Sequence, residues 1–213
     1  MVKLNLDVLD KPRQDLWEKL EVFKRSGVLG GGTAIALQIG HRVSLDFDIF
    51  TEGGISSRMR NKALSVLDRP VVVEIDNPEL LTLMSKSGLR LTILEYSYSP
   101  LYPVIKTKGL PLFDLADLAS NKAFTIGRRG KWRDYVDLYF LLKEGHVTLA
   151  QVVRDARKRF GDEFAPRLFL EQLAYTKDLG KMEIDFLRGA VGSKEATDFF
   201  GGEVKTYVRS HLK

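Results

Sequence analysis

Cysteine is absent from the 213 residues, which removes disulfide staples, thiolate nucleophiles and Cys-ligated zinc or iron–sulfur centres together and fits a reducing compartment. No run of 18 apolar residues occurs, so no membrane span is expected. Residues 1–20 alternate charge with apolar residues and lack the continuous apolar core of a signal peptide, so the expected location is the cytoplasm. Internal repeats and low-complexity tracts are missing as well. What remains is 44% apolar and 29% charged, the composition of an ordinary globular chain with enough length for one full core or two small ones.

The balance of 33 Lys+Arg against 28 Asp+Glu gives a net charge of +5, compatible with a polyanionic partner. Two places concentrate it. Lys122, Arg128, Arg129, Lys131 and Arg133 fall within twelve residues with no acid among them, and this cluster either faces a phosphate or is simply solvated. The second cluster, Arg154, Arg157, Lys158 and Arg159, reads as a solvated helix face.

Periodicity divides the chain. Residues 12–26 follow a helical pattern opened by Pro12 and stopped at Gly27. Gly30-Gly31-Gly32-Thr33 reads as a turn opening a short helix over 34–39, ended by Gly40. Residues 43–50 alternate strictly, with Val43, Leu45, Phe47 and Ile49 on one face and Ser44, Asp46 and Asp48 on the other, which predicts a strand. A helix over 55–67, strands over 71–76 and 89–98 and a short strand at 104–106 follow. From Asp114, a plausible N-cap, helices are expected over 115–126, 133–143, 149–160, 165–176, 183–190 and 194–211, punctuated by glycines that include Gly130, Gly161 and Gly180. The expected organisation is an α/β (α+β) part at 1–110 and an all-helical part at 111–213.

Two carboxylates at i and i+2 on a strand project from one face, where their charges repel unless compensated. Hard oxygen ligands, no thiolate and only His41 nearby favour Mg²⁺ or Mn²⁺ over zinc as the compensator. The alternative is that Asp46 and Asp48 are the wet face of an antiparallel strand. Upstream, the backbone N–H groups of Gly31 and Gly32 and the Thr33 hydroxyl suit a triphosphate at a helix start, with Arg42 and Ser44 on the approach. Trp132 stacks on a base or anchors a turn. Tyr135, Tyr139 and Phe140 lie in a nearly apolar helix and are expected in the core.

Gly-Gly followed at short spacing by Asp-x-Asp resembles the signature of the DNA-polymerase-β-like nucleotidyltransferase superfamily. The run GGTAIALQIGHRVSLDFDIF is similar to the first motif of one branch, the AbiEii/AbiGii-type nucleotidyltransferase toxins, of the form G-G-T-A-L…G-H-R-x-S-x-D-x-D. Gly31, Gly32, Thr33, Gly40, His41, Arg42, Ser44, Asp46 and Asp48 occupy matching positions. A second block resembles the same family in the helical part, with Lys122, Arg129, Arg133, Asp134, Asp137 and Leu138 in register.

The resemblance implies a small mixed-sheet nucleotidyltransferase core followed by a helical domain that completes the active site. It implies an NTP substrate, a Mg²⁺ (or Mn²⁺) ion on Asp46 and Asp48, Lys122 and Asp134 as active-site residues with Asp134 a catalytic or structural acid, and Gly31, Gly32, Thr33, Arg42, Ser44, Arg129 and Arg133 around the nucleotide. It further implies an RNA acceptor such as tRNA and a cognate antitoxin protein. One departure stands out: Thr92 occupies the position expected for a third carboxylate, with Glu74 and Glu95 as substitutes. Arg133 and Asp137, at i and i+4, also fit a simple helix-surface ion pair. Two other readings remain open, a small-molecule nucleotidyltransferase of the antibiotic-inactivating kind and a catalytically idle nucleotide- or RNA-binding module.

Overall fold

The computed structural model describes residues 3–176, 179 and 183–211. The chain divides into two compact units, Met1–Asp114 and Leu115–Lys213.

The first unit is built on a five-stranded mixed sheet in the order β1-β2-β5-β4-β3. Its strands are β1 (Val28–Leu29), β2 (Asp46–Thr51), β3 (Val71–Asp76), β4 (Leu80–Ser85) and β5 (Arg90–Glu95). β2 and β5 run parallel, and the other pairs are antiparallel. Alternation in β2 sends Phe47, Ile49 and Thr51 into the core and leaves Asp46, Asp48 and Phe50 half-buried on the other face. Leu81, Leu83, Leu91 and Ile93 extend the buried face, and Trp17 stacks parallel to Phe47 at 6.5 Å. Helix α1 (Lys11–Lys19) carries Trp17 and is capped by Asp10, whose carboxylate accepts the Arg13 N–H at 3.0 Å. Helix α3 (Ser57–Val66) is capped by Ser56 in the same way. Each such cap stabilises by about 1 kcal/mol.

Several elements differ from the sequence expectation. The first helix stops at Lys19 and tightens into a 3-10 turn over Leu20–Phe23. β2 begins at Asp46, after a segment in which Ser44 N–H bonds the Val8 carbonyl outside the sheet. β4 is not anticipated at all: LLTLMS is nearly continuous in apolar residues, and Asn77-Pro78 is the turn of a β3–β4 hairpin, in which Asn77 Oδ1 accepts from the Glu79 and Leu80 N–H groups. β5 ends at Glu95, short of Tyr98, and residues 104–106 contribute a single bridge, Ile105 to Leu112.

The second unit consists of α4 (Leu115–Arg129), α5 (Trp132–Lys143), α6 (Leu149–Phe160), α7 (Pro166–Ala174) and α8 (Ser193–His211). α4 packs against α5, α6 and α7, burying Leu118, Ala119, Ala123 and Ile126. Phe124 and Phe160 stack 4.0 Å apart. Tyr135, Tyr139 and Phe140 are buried, as their apolar setting predicts. Residues 183–190 form no helix; the segment runs into Gly189, whose φ of +27° lies outside the right-handed helical region. Gly180, read as a break between helices, lies outside the described residues. Among the described residues no helix is long and apolar enough to cross a membrane.

Candidate active site

The glycine turn and the Asp-x-Asp strand form one hydrogen-bonded unit. The Gly30 N–H donates to the Asp48 carbonyl at 2.9 Å, and the Thr33 hydroxyl donates to the Asp46 carbonyl and lies 2.7 Å from the Ser44 hydroxyl. Helix α2 (Gly31–Ile39) starts here, with Gly31 at φ +65°. A Cβ at Gly31 would come within 3.0 Å of the Asp48 carboxylate, closer than real Cβ atoms approach. Glycine is therefore required twice, for the left-handed backbone and for the space the carboxylate occupies. The far end of α2 is held by the Asn5 amide, which donates to the Leu37 and Gln38 carbonyls at 3.2 and 3.1 Å.

Gly31 and Gly32 remain partly accessible, whereas Thr33 and Ser44 are buried against each other. Arg42 is also buried, with Nη1 donating to the Val43 carbonyl at 2.9 Å. His41 is fully buried. Of the motif's side chains, those of Asp46 and Asp48 thus keep partial access, while Thr33, Arg42 and Ser44 sit inside the scaffold that shapes the turn.

The sheet register assigns the neighbours of the two carboxylates. Asp46 lies opposite Arg90 and Asp48 opposite Thr92 on β5, so all four project from one face. Thr92 is followed by Thr82 on β4. Glu95 pairs with Thr51 and belongs to the other face. Glu74 lies at the β3 irregularity and forms an ion pair with Arg90 at 3.0 Å. Arg90 is a residue that the sequence alone does not single out; only the β2–β5 register brings it beside Asp46. Among the described residues no group of three His, Asp or Glu side chains is arranged as a metal cage. The donor set here is two carboxylates on one face with a glycine turn alongside. That fits a hard cation such as Mg²⁺, which takes one or two carboxylates and completes its shell with water and substrate phosphate.

The second unit holds the other motif block. Lys122 on α4 is buried, with Nζ 2.8 Å from Asp134 Oδ1 and 2.6 Å from Asp137 Oδ2 on α5. The Asp137 side chain has no exposed surface. The other Asp134 oxygen accepts the Lys131 N–H at 3.1 Å, which caps the start of α5. Arg129 ends α4 in an exposed position, seven residues and about 10 Å along the helix from Lys122. Arg128 sits over the Phe124 ring at 3.9 Å and pairs with Glu163.

The second basic cluster is not simply a solvated face. The Arg159 and Asp117 side chains are both fully buried and 3.5 Å apart. Arg159 Nη1 also donates to the Asp117 carbonyl, Ser120 Oγ and Asn121 Oδ1, each at 2.8 Å. Arg159 thereby clamps α4 in the turn that precedes Lys122. Tyr139 donates to Glu195 at 2.7 Å, and burial followed by that carboxylate pushes its hydroxyl pKa up to about 12. Burial, with Asp134 nearby, does the same for Tyr135.

A glycine turn hydrogen-bonded to an Asp-x-Asp strand that lies between β1 and β5 of a small mixed sheet defines a nucleotidyltransferase-type core. Residues 84–201, more than half of the chain, match the family described as nucleotidyl transferase AbiEii toxin, type IV TA system, and the chain belongs to that family. The matched span contains the Lys122–Leu138 block and follows the Gly31–Asp48 motif in sequence. An uncharacterized protein of Aquifex aeolicus (strain VF5) is 28% identical over 210 residues, covering 94% of this chain and 99% of its own. Two solved structures share the fold. JHP933 from Helicobacter pylori has a TM-score of 0.60 at 18% identity, covering 95% of this chain and 94% of its own. MenT4, nucleotidyltransferase toxin Rv2826c from Mycobacterium tuberculosis H37Rv, has a TM-score of 0.60 at 16% identity, covering 91% and 82%. The protein is a nucleotidyltransferase by family.

Proposed function

We propose that this enzyme moves an NMP unit from an NTP to an acceptor hydroxyl on RNA, such as tRNA, as the toxin of a toxin–antitoxin or abortive-infection pair, with a cognate antitoxin protein as its partner in the cytoplasm. The observation that carries the reading is the fit of Asp48 against Gly31, which sets a carboxylate beside a helix N-terminus able to receive phosphate. The acceptor oxygen attacks the α-phosphorus, the bond to the bridging oxygen of pyrophosphate breaks, and the acceptor proton is released as pyrophosphate leaves. A divalent cation, Mg²⁺ or Mn²⁺, held by Asp46 and Asp48 supplies Lewis-acid stabilisation of the charge that develops on the phosphoryl oxygens.

The remaining roles follow from what each side chain is bonded to. Gly31 and Gly32 offer backbone N–H groups to phosphate. Thr33, Ser44 and Arg42 act from inside the scaffold by fixing the turn. Lys122 is already neutralised by two carboxylates, so its chemistry favours holding Asp134 in place, with Asp134 the structural acid at the start of α5. Arg129 is exposed and suits the β- and γ-phosphates, with Arg133 as a further cation. The motif itself supports assigning these residues to the nucleotide.

Thr92 beside Asp48 supports a second reading, a nucleotide- or RNA-binding module without turnover. Incubation of the protein with each labelled NTP, Mg²⁺ and total tRNA or other cellular RNA, resolved on a denaturing gel, separates the two. Label on RNA from the wild type that disappears with Asp46→Ala and falls with Arg129→Ala is the expected result. NTP binding with no labelled RNA, and no dependence on Asp46, overturns the transferase reading.

A further inference from the structure

The first unit contains a cleft of about 890 Å³ that no motif residue lines. Phe50 lines it; this residue follows Asp46 and Asp48 on the same face of β2 and lies about 7 Å beyond Asp48 along the strand. Around Phe50 the chain places an edge-to-face aromatic series. Tyr96 is 4.8 Å from Phe50, Tyr98 is 5.3 Å from Tyr96, and Phe113 closes the other side at 5.3 Å from Phe50. Phe50, Tyr96 and Tyr98 are only half-buried.

The cleft runs into a smaller one of about 300 Å³, with which it shares Arg25, Ser26, Ser56 and Met59. Cations outnumber acids along this groove, although the Glu21 carboxylate stands 4.0 Å from the Lys24 ammonium at its border. Lys24, Arg25, Arg58 and Lys62 line it, against Glu52 as the single acid. The Lys24 and Lys62 ammonium groups are steadied by the Lys108 and Val22 carbonyls at 2.7 and 2.8 Å. Arg25 and Arg58 are exposed.

Half-exposed aromatic rings beside a cationic track are the two components of single-strand recognition: the rings take unstacked bases and the cations take the backbone. A duplex hides its base faces and cannot use the rings. We propose that this groove is the docking track for the single-stranded end of the RNA acceptor, with a base on Phe50, Tyr96 and Tyr98 and phosphates on Arg25 and Arg58. It rests on the transferase reading only for the word acceptor. The continuity of Phe50 with Asp46 and Asp48 leads the strand toward the carboxylate pair.

The test is binding without NTP, by fluorescence anisotropy of a 5′-labelled oligouridine of about ten nucleotides and of the same length as duplex, across a salt series. The wild type binds the single strand more tightly than the duplex. Arg25→Ala with Arg58→Ala weakens it at least tenfold and flattens the log–log salt slope by roughly 1.4, two phosphate contacts at about 0.7 each. Tyr98→Ala weakens binding without changing the slope, and Arg167→Ala, on an exposed side chain of α7, changes neither. All changed side chains are surface-accessible, and an unaltered circular dichroism spectrum verifies folding. Wild-type affinity and slope in the Arg25/Arg58 double variant, or equal binding of duplex, overturns the proposal. If groove-dependent binding is present but the gel assay shows no transfer, the transferase reading fails and the groove stands. If transfer to RNA proceeds unchanged in the Arg25/Arg58 and Tyr98 variants, the groove fails and the transferase stands.

Discussion

Replacing Gly31 by alanine separates catalysis from stability because two effects of known size meet at one atom. The residue adopts φ +65°, so a Cβ costs about 1–2 kcal/mol in backbone strain. Independently, that Cβ collides with the Asp48 carboxylate, which must withdraw by about 1 Å to reach an ordinary contact, and a displacement of that size at a reacting centre costs on the order of a hundredfold in rate. Gly88, at φ +77° with nothing within 4 Å of its would-be Cβ, supplies the matched control. Urea unfolding should show both alanine variants destabilised by a similar 1–2 kcal/mol, while NTP-dependent labelling of RNA falls about a hundredfold in Gly31→Ala alone. Equal activity in the two variants would refute the argument that glycine is required at 31 to make room for the carboxylate.

Other perturbations test the scaffold and the gap in the ligand set. Lys122→Met leaves Asp134 and Asp137 facing one another without their shared cation and should lower unfolding free energy by about 3 kcal/mol in urea titrations. Arg159→Met removes the buried cation beside Asp117 with a loss of similar size, about 3 kcal/mol, and a thermal melt that leaves its midpoint unchanged would contradict the clamp on α4. Tyr135 and Tyr139 are raised to about 12 in the folded state against about 10 when unfolded. The stability they contribute is therefore full below pH 10 and lost as pH rises from 10 to 12. Urea unfolding across that window should steepen downward, and Tyr139→Phe should reduce the slope. Thr92→Asp puts a third carboxylate opposite Asp48. It should lower the melting temperature without divalent cation and restore it on Mn²⁺ addition, with apparent Mn²⁺ affinity up about tenfold; a melt insensitive to Mn²⁺ would remove this face as the cation site.

What the sequence showed most clearly was local in the chain and constrained by stereochemistry. Glycine at a left-handed start of α2 and strict alternation over Phe47, Asp48 and Ile49 leave few other conformations, and the hydrogen bonds that join Gly30 to Asp48 and Thr33 to Asp46 close a short loop. The helical character after Asp114 followed from the same kind of local periodicity. β4 has no alternating signature because a strand covered on both faces loses it: Leu81, Thr82 and Leu83 are consecutive and buried. Arg90 and the aromatic series have no local signature either. Which face Arg90 shares, and with whom, is a property of the β2–β5 register, and register is a long-range choice.

Arg159 shows the difference between reading charge and reading angle. Counted as a run, Arg157-Lys158-Arg159 is a cationic patch, and a solvated face is the ordinary outcome. Placed on a helix at 100° per residue, Arg159 falls between Val152 and Ala156 on one side and Asp155 on the other, inside the arc that α6 buries. Asp155 is buried on the same arc, so the arc announces its polar members through position rather than through type. A buried guanidinium is tolerated only with several acceptors, and α4 supplies them from one turn, as the Asp117 carbonyl and carboxylate, Ser120 and Asn121. The next residue is Lys122. The clamp therefore fixes the rotation of α4 at the point where the motif lysine leaves it, and a lysine held between two carboxylates depends on that rotation, because turning the helix by one residue would swing Nζ away from both.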